Sequence, residues 1–226
     1  MFGLDVDQLI FGVIQLVCFI PAIVIHEVAH GFVANRLGDT TAKRAGRLSL
    51  NPIKHIDPFG TVILPVLLAF LGGPVFGYAK PVPYNPRYFK NLKKGEVMTG
   101  LAGPASNLIM ALLTAGVTFL LVEFDVLSGA AAQWGYTALF MFGYINLILM
   151  FFNLLPIPPL DGSSIIVPFL PQKALPTWYQ IQRYALPIFF IIVFLLPQVL
   201  HVNPLGIYLN ATAFNLAKLL FPYFGF

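Results

Sequence analysis

A long apolar stretch near the N-terminus constrains this chain more than any other feature of its sequence. It runs from residue 9 to residue 37 and would be about 43 Å long as an α-helix, more than enough to cross a bilayer. Other apolar stretches follow it, and only 10% of the residues are charged, against about 25% in an average soluble domain. The sequence therefore excludes an ordinary soluble fold and predicts an integral membrane protein surrounded by lipid.

The distribution of charge predicts how these stretches cross the membrane. Ten of the thirteen Lys and Arg residues lie between Arg36 and Lys94, which the positive-inside rule places in the cytoplasm, with the N-terminus outside. A nucleic-acid partner is not expected, because topology explains this basic segment more simply and no aromatic-basic recognition motif accompanies it.

We predict an all-α polytopic membrane protein that forms one domain, residues 1–226, with about five full transmembrane helices. Residues 59–78 have basic residues on both flanks and contain Pro65 and Pro74, so a re-entrant, membrane-embedded segment fits them better than a crossing. The five predicted spans are residues 9–37, 96–122, 134–155, 184–200 and 204–221.

The sequence H-E-V-A-H, from His26 to His30, lies inside the first apolar stretch. Histidines at i and i+4 share one helix face and can reach one cation, while Glu27 is close enough to meet a metal-bound water instead. This pattern is typical of a zinc hydrolase, in which two imidazoles hold the metal and a carboxylate moves a proton. The single cysteine, Cys18, excludes Cys-based metal sites. Polar side chains in a span are costly, which favours function over coincidence.

A catalytic zinc site with two histidines needs a third protein ligand. Asp161 is the last polar candidate in the apolar part of the chain, and it follows three prolines, Pro156, Pro158 and Pro159. Prolines forbid a regular helix, and such broken backbone is tolerated at membrane depth where it lines a cavity. Alone, Asp161-Gly162 would indicate a turn, but together with H-E-V-A-H it predicts the third ligand of one zinc ion per chain.

These motifs resemble those of the site-2 protease family of intramembrane zinc metalloproteases. After H-E-V-A-H, residues 153–162 read N-x-x-P-x-x-x-x-D-G, and Gly103-Pro-Ala-Ser-Asn107 is similar to the family's motif on the span between them. Residues 46–52, 55–61 and 79–83 resemble the short bacterial branch, which lacks PDZ and CBS domains. The resemblance covers approximately residues 10–170.

The resemblance implies a role for each motif residue. His26, His30 and Asp161 would hold zinc, and Glu27 would be the general acid/base. Asn153 matches the family's substrate-binding asparagine, whose amide could stabilise an oxyanion or hold the substrate backbone; a helix C-cap is the alternative.

The resemblance also implies a substrate and a location. Membrane-anchored proteins, such as anti-sigma-factor-like regulators, would be cut within their transmembrane segments. The enzyme would lie in the bacterial cell membrane, with its active site towards the cytoplasm. A substrate helix must unwind before cleavage, and residues 45–50 and 76–82 are expected to supply short β edges near the site that hold it.

Two other functions could use the same set of metal ligands or the same membrane fold. A membrane zinc carrier would use the same ligands but gives no reason for Glu27, and a scaffold that binds transmembrane helices without cutting them gives no reason for an intact ligand set.

His55 and Asp57 are expected to hydrogen-bond within their loop. Asn107 is expected to pack or hydrogen-bond between helices.

Overall fold

The structure is a computed structural model that describes residues 6–63, 78–191 and 201–224, together with residues 193, 197 and 199. Within this part of the chain the secondary structure is helical, with no β-strand. The α-helices are α1 (Val6–Arg36), α2 (Thr41–Arg44), α3 (Leu92–Glu123), α4 (Gly129–Asn153), α5 (Leu175–Arg183), α6 (Ala185–Phe190), α7 (Pro204–Leu209) and α8 (Asn215–Leu220). Short 3₁₀-helices lie at Pro52–His55, Pro86–Tyr88, Asp161–Phe169 and Gln172–Ala174, and π-helices at Pro58–Ile63 and Asn210–Phe214.

Three helices in the described part, α1, α3 and α4, are long and apolar enough to cross a membrane. They contain 31, 32 and 25 residues and agree with the predicted spans at 9–37, 96–122 and 134–155. The chain is therefore an integral membrane protein with at least these three candidate spans. Much of their apolar surface is exposed, as lipid contact requires.

The three long helices pack on one another with α3 in contact with both α1 and α4. One buried apolar cluster joins α1 to α4 through Cys18, Ala22, Met141 and Ile145. A second cluster, which includes Ala111 and Leu147, joins α3 and α4 to the C-terminal helices. Small residues at these contacts let the helix backbones approach closely, which is how helices associate in a membrane.

Irregular segments connect the long helices and lie against them. Helix α1 ends at Arg36, and Gly38, two residues later, has a φ of 107° that suits glycine just after a helix C-terminus. Later in the chain, residues 78–85, which we call the strap, have no regular secondary structure and contact α1 through Val82, before the 3₁₀-helix that precedes α3. After α4, the 3₁₀-helix Asp161–Phe169 packs against α3.

The remaining predicted spans are not confirmed. Most of the expected re-entrant segment, 59–78, lies outside the described residues, and so do several residues of 184–200. The stretch 204–220 is helical, but it is divided into α7, a π-helix and α8 and is not among the three candidate spans.

The expected β edges are not confirmed either. Residues 45–50 form a turn and coil, in which Gly46 has a φ of 65° that a strand cannot contain. Residues 76 and 77 lie outside the described part, and residues 78–82 have no regular secondary structure. Pro81 has no N–H with which to pair.

Candidate metal centre

Three side chains from two distant parts of the sequence, two from α1 and one from after α4, converge at one point. His26 and His30 lie one turn apart on α1, are almost completely buried, and have their Nε2 atoms 3.1 Å apart. Asp161, at the start of its 3₁₀-helix, has Oδ2 3.0 Å from Nε2 of His26 and 3.3 Å from Nε2 of His30. The three potential ligand atoms all lie within 4.8 Å of one another. The prolines before Asp161 break the chain after α4 and turn this carboxylate towards α1.

Nδ1 of each histidine, the ring nitrogen that is not next to Asp161, is held by a hydrogen bond. Nδ1 of His30 lies 2.7 Å from the carbonyl oxygen of Thr99, which can only accept, so Nδ1 carries the proton. Nδ1 of His26 lies 2.5 Å from Oδ1 of Asn107. In a neutral imidazole with a protonated Nδ1, Nε2 carries a lone pair. Both histidines therefore direct lone pairs towards Asp161.

The orientation of the Asn107 amide follows from its other partners. Its Nδ2 donates to Oδ1 of Asn146 at 2.8 Å and faces the carbonyl oxygen of Ala22 at 3.5 Å. Asn146 is fixed in turn, because its own Nδ2 donates to the carbonyl oxygen of Phe142. The series of donors and acceptors thus begins at a backbone carbonyl of α4 and leaves Oδ1 of Asn107 to accept from His26.

This donor set fits zinc. Oδ2 of Asp161 is buried and has no hydrogen-bond donor, and it faces two nitrogens that carry lone pairs. Three electron-rich atoms this close to one another are stabilised by a positive charge among them, which a shared metal ion can supply. Two imidazoles and a carboxylate are ligands that zinc accepts, and the outer hydrogen bonds are those expected of metal-bound histidines.

Helix α3 comes unusually close to the two histidines because it has glycine at position 103. A Cβ there would lie 2.4 Å from Nε2 of His30 and 2.6 Å from Nε2 of His26. One turn earlier, a Cβ at Gly100 would lie 2.0 Å from Oγ of Ser164 and 3.0 Å from the carbonyl oxygen of Asp161. These two glycines let α3 contact both halves of the ligand group.

Glu27 lies beside the ligand group but is not a member of it. The side chain is half-buried, and its Oε2 accepts a hydrogen bond of 2.8 Å from the backbone N–H of Val82 in the strap. A carboxylate next to three potential metal ligands, but not among them, is available to move protons.

Asn153, His55 and Asp57 are not members of the converging group and make other hydrogen bonds. Asn153 is the last residue of α4, and its Nδ2 donates to the carbonyl oxygen of Leu149 in the same helix. His55 donates to the carbonyl oxygen of Ser49, and Asp57 accepts from backbone N–H groups two and three residues later. The interpretation of His55 and Asp57 as loop residues is therefore confirmed.

A family model and several curated relatives match the chain. The model of peptidase family M50 matches residues 14–196, which include all three converging side chains. The chain belongs to peptidase family M50. The resemblance to site-2 proteases is thereby confirmed.

The relatives of this M50 peptidase have names that describe zinc metalloproteases. YwhC of Bacillus subtilis is 40% identical over 90% of this chain and 89% of its own length. Rip2 of Mycolicibacterium smegmatis is 33% identical over 67% of this chain and 55% of its own. MJ0392 of Methanocaldococcus jannaschii is 26% identical over 76% of this chain and 39% of its own. No solved structure matches the chain significantly.

The family, the relatives and the long apolar helices together make the chain a membrane zinc metalloprotease. Sequence reasoning did not connect Asn107 of this M50 peptidase with His26, although the interhelical hydrogen bond expected of Asn107 is present. It also missed Asn146 and the contact between Val82 and Glu27. A polar residue buried within an apolar span was the available signal for both asparagines.

Proposed function

We propose that this M50 peptidase cleaves membrane-anchored proteins within their transmembrane segments. The observation that carries the proposal is the meeting of His26, His30 and Asp161 beside Glu27, with both histidines inside a helix long and apolar enough to cross a membrane. A hydrolytic site at that position can reach only peptide bonds that lie in or near the bilayer. Its substrates would be membrane-tethered proteins, such as anti-sigma-factor-like regulators.

The metal ligands in this proposal are His26, His30 and Asp161, for one zinc ion per chain. Zinc, when bound, supplies Lewis-acid activation of water and of the scissile carbonyl. The hydrogen bonds to Thr99 and Asn107 keep Nδ1 of the two histidines protonated, so that Nε2 remains a ligand atom. The protein thus holds a ligand set of fixed tautomer before the metal arrives.

Glu27 is the general acid/base in this mechanism. Its carboxylate takes a proton from the attacking water and delivers it to the leaving amine of the substrate. Asn153 is proposed to hold the substrate backbone or to donate its amide N–H to the developing oxyanion. For that role its side chain must leave the carbonyl oxygen of Leu149, which Nδ2 contacts at 3.0 Å.

We also propose that the site opens towards the cytoplasm of a bacterial cell. The basic residues that follow α1 favour the cytoplasm for its C-terminal end. His26 lies ten residues before Arg36, or about 15 Å along a helix, and His30 about 9 Å. The metal would therefore sit within the membrane, nearer the cytoplasmic face, and water would reach it from that side.

The test is to map cleavage products by mass spectrometry. The purified enzyme is reconstituted in vesicles with a single-span substrate, and the new termini are compared with those formed by the Glu27→Gln variant. Cuts within the transmembrane segment that need Glu27 are the expected result. Cuts confined to soluble parts would contradict intramembrane cleavage, and zinc flux without cuts would indicate a carrier. Capture of the substrate without cuts or flux would indicate a scaffold.

A further inference from the structure

The contact between the strap and α1 assigns a role to a backbone group. We propose that the peptide N–H of Val82 holds the Glu27 carboxylate in the orientation that proton transfer requires. Val82 is then a positioning residue, since it acts through Glu27. This inference rests on the proposed function, because it assumes that Glu27 is the acid/base.

The contact is short and sheltered. The Val82 nitrogen lies 2.8 Å from Oε2 of Glu27, and the Val82 residue is only 5% exposed. Its side chain lies over α1 at Gly31, where an added Cβ would be 2.7 Å from Cγ1 of Val82 and 2.8 Å from Cδ2 of Leu48. Gly31 thus lets the strap lie close against the helix, one turn after Glu27.

The sequence around Val82 isolates this N–H from its neighbours. Pro81 and Pro83 have no N–H, and the N–H of Lys80 donates to the carbonyl oxygen of His55. The residue before a proline is held in extended conformations, so Lys80 and Val82 are both restricted. The segment Lys80-Pro81-Val82-Pro83 is therefore stiff, and from Pro81 to Pro83 it presents a single N–H, which points at Glu27.

Side chains from other elements anchor the strap on both sides of Val82. Before it, Arg47 donates to the carbonyl oxygen of Lys80 at 2.6 Å. After it, the N–H of Asn85 donates to Oδ2 of the buried Asp39 at 2.5 Å. A donor held in this way needs no reorganisation when the reaction occurs.

The geometry gives the two oxygens of Glu27 different tasks. Oε2 accepts from Val82, which fixes the plane of the carboxylate, and we assign the proton to Oε1. A free glutamate side chain would have to lose rotational freedom at each turnover, and fixing its geometry beforehand avoids that cost. Removal of the N–H should therefore slow the chemical step without weakening the binding of substrate.

The experiment compares variants that lack the N–H of residue 82 with one that keeps the N–H and changes only the side chain. Val82→Pro deletes the N–H, while Val82→Ala keeps it and shortens the side chain. A third protein carries the α-hydroxy analogue of valine at position 82, introduced by nonsense suppression, so that an ester oxygen replaces the N–H and the side chain stays. Zinc content, kcat and KM are measured for each with a transmembrane substrate.

We expect kcat to fall about 10-fold to 100-fold in the proline and ester proteins, the loss typical of an outer-shell partner. Zinc content and KM should stay at the wild-type level, and kcat should fall further in both of these proteins than in Val82→Ala, which keeps the N–H. If Val82→Pro loses zinc or fails to fold, the ester protein alone decides. An ester protein with wild-type kcat, or with a raised KM and unchanged kcat, would overturn the proposal.

A second background separates this inference from the proposed function. Glu27→Asp shortens the side chain by one methylene and withdraws the carboxylate from Val82, so deleting the N–H there should cost nothing further. Equal losses in both backgrounds would refute the positioning role. If Glu27→Gln retains wild-type turnover, the proposed function fails; if Glu27→Gln is inactive but the N–H is dispensable, only the present inference fails.

Discussion

Asn107 accepts a hydrogen bond from Nδ1 of His26 across 2.5 Å, and it is completely buried between α1, α3 and α4. Its amide also donates to Asn146 on α4. One side chain of α3 thus ties His26, a proposed metal ligand on α1, to a third helix. A polar residue at this depth is costly unless every hydrogen bond is made, and here the partners fix which nitrogen of His26 carries the proton.

The first prediction concerns this hydrogen bond. Asn107→Leu should lower zinc affinity about 10-fold to 100-fold, because His26 loses the acceptor that fixes its tautomer. Asn146→Leu should have a smaller effect, since Asn146 acts through Asn107. Competition with a metal chelator measures the affinity. Asn215→Leu is the control, because the Asn215 amide donates to the carbonyl oxygen of Ala211, one turn earlier in the chain, and an equal loss there would rule out a specific role for Asn107.

The second prediction concerns the close approach of α3. Gly103→Ala should greatly reduce zinc binding, because the new methyl would lie within 2.6 Å of the Nε2 atoms of both histidines. Gly116→Ala on the same helix meets nothing within 4 Å and should leave zinc binding intact while it favours the helix slightly. The zinc content of the two purified proteins is measured by elemental analysis. Full zinc in the Gly103→Ala protein would show that the helices are farther apart than described.

The sequence indicated which side chains converge better than it indicated what surrounds them. The spacing of His26 and His30 places them on one face of the helix, and the broken backbone before Asp161 lets this carboxylate reach both of them. The contact of Asn107 with His26 depends on how α1 and α3 pack, which spacing within one helix does not report. The β edges are not confirmed, because short alternation does not outweigh prolines and a glycine with positive φ.

The third prediction concerns a buried carboxylate near the strap. Glu96 is 3% exposed and accepts from the hydroxyls of Tyr84 and Tyr179, at 3.1 and 3.0 Å. Burial and the Glu96 carboxylate raise the pKa of both tyrosines, so both remain donors at neutral pH.

Tyr179→Phe should therefore destabilise the protein by about 1.5–3 kcal/mol, the typical contribution of a hydrogen bond to a charged group. Thermal unfolding in detergent, followed by circular dichroism, measures the change. Tyr88→Phe is the control, because Tyr88 is 56% exposed and should leave the midpoint unchanged. An unchanged midpoint for Tyr179→Phe would mean that Glu96 does not need this donor.

The fourth prediction concerns direction in the membrane. In a Cys18→Ser background, single cysteines are placed at Gln15 and Val33, on opposite sides of His26. A membrane-impermeant thiol reagent should reach neither in intact cells, but from the cytoplasmic side of inverted vesicles it should label position 33 faster than position 15. Faster labelling of position 15 from that side, or ready labelling of position 33 from outside, would reverse the proposed topology.

The most direct test of the account is the turnover of the zinc-loaded Glu27→Gln protein on a transmembrane substrate. Glutamine keeps the size of the side chain but cannot accept a proton as the carboxylate does. If Glu27 moves the proton, the zinc content should equal that of the wild type and the rate of cleavage should be lower by about 10²-fold or more. Wild-type turnover at full zinc content would contradict the role of Glu27 and the peptidase mechanism built on it.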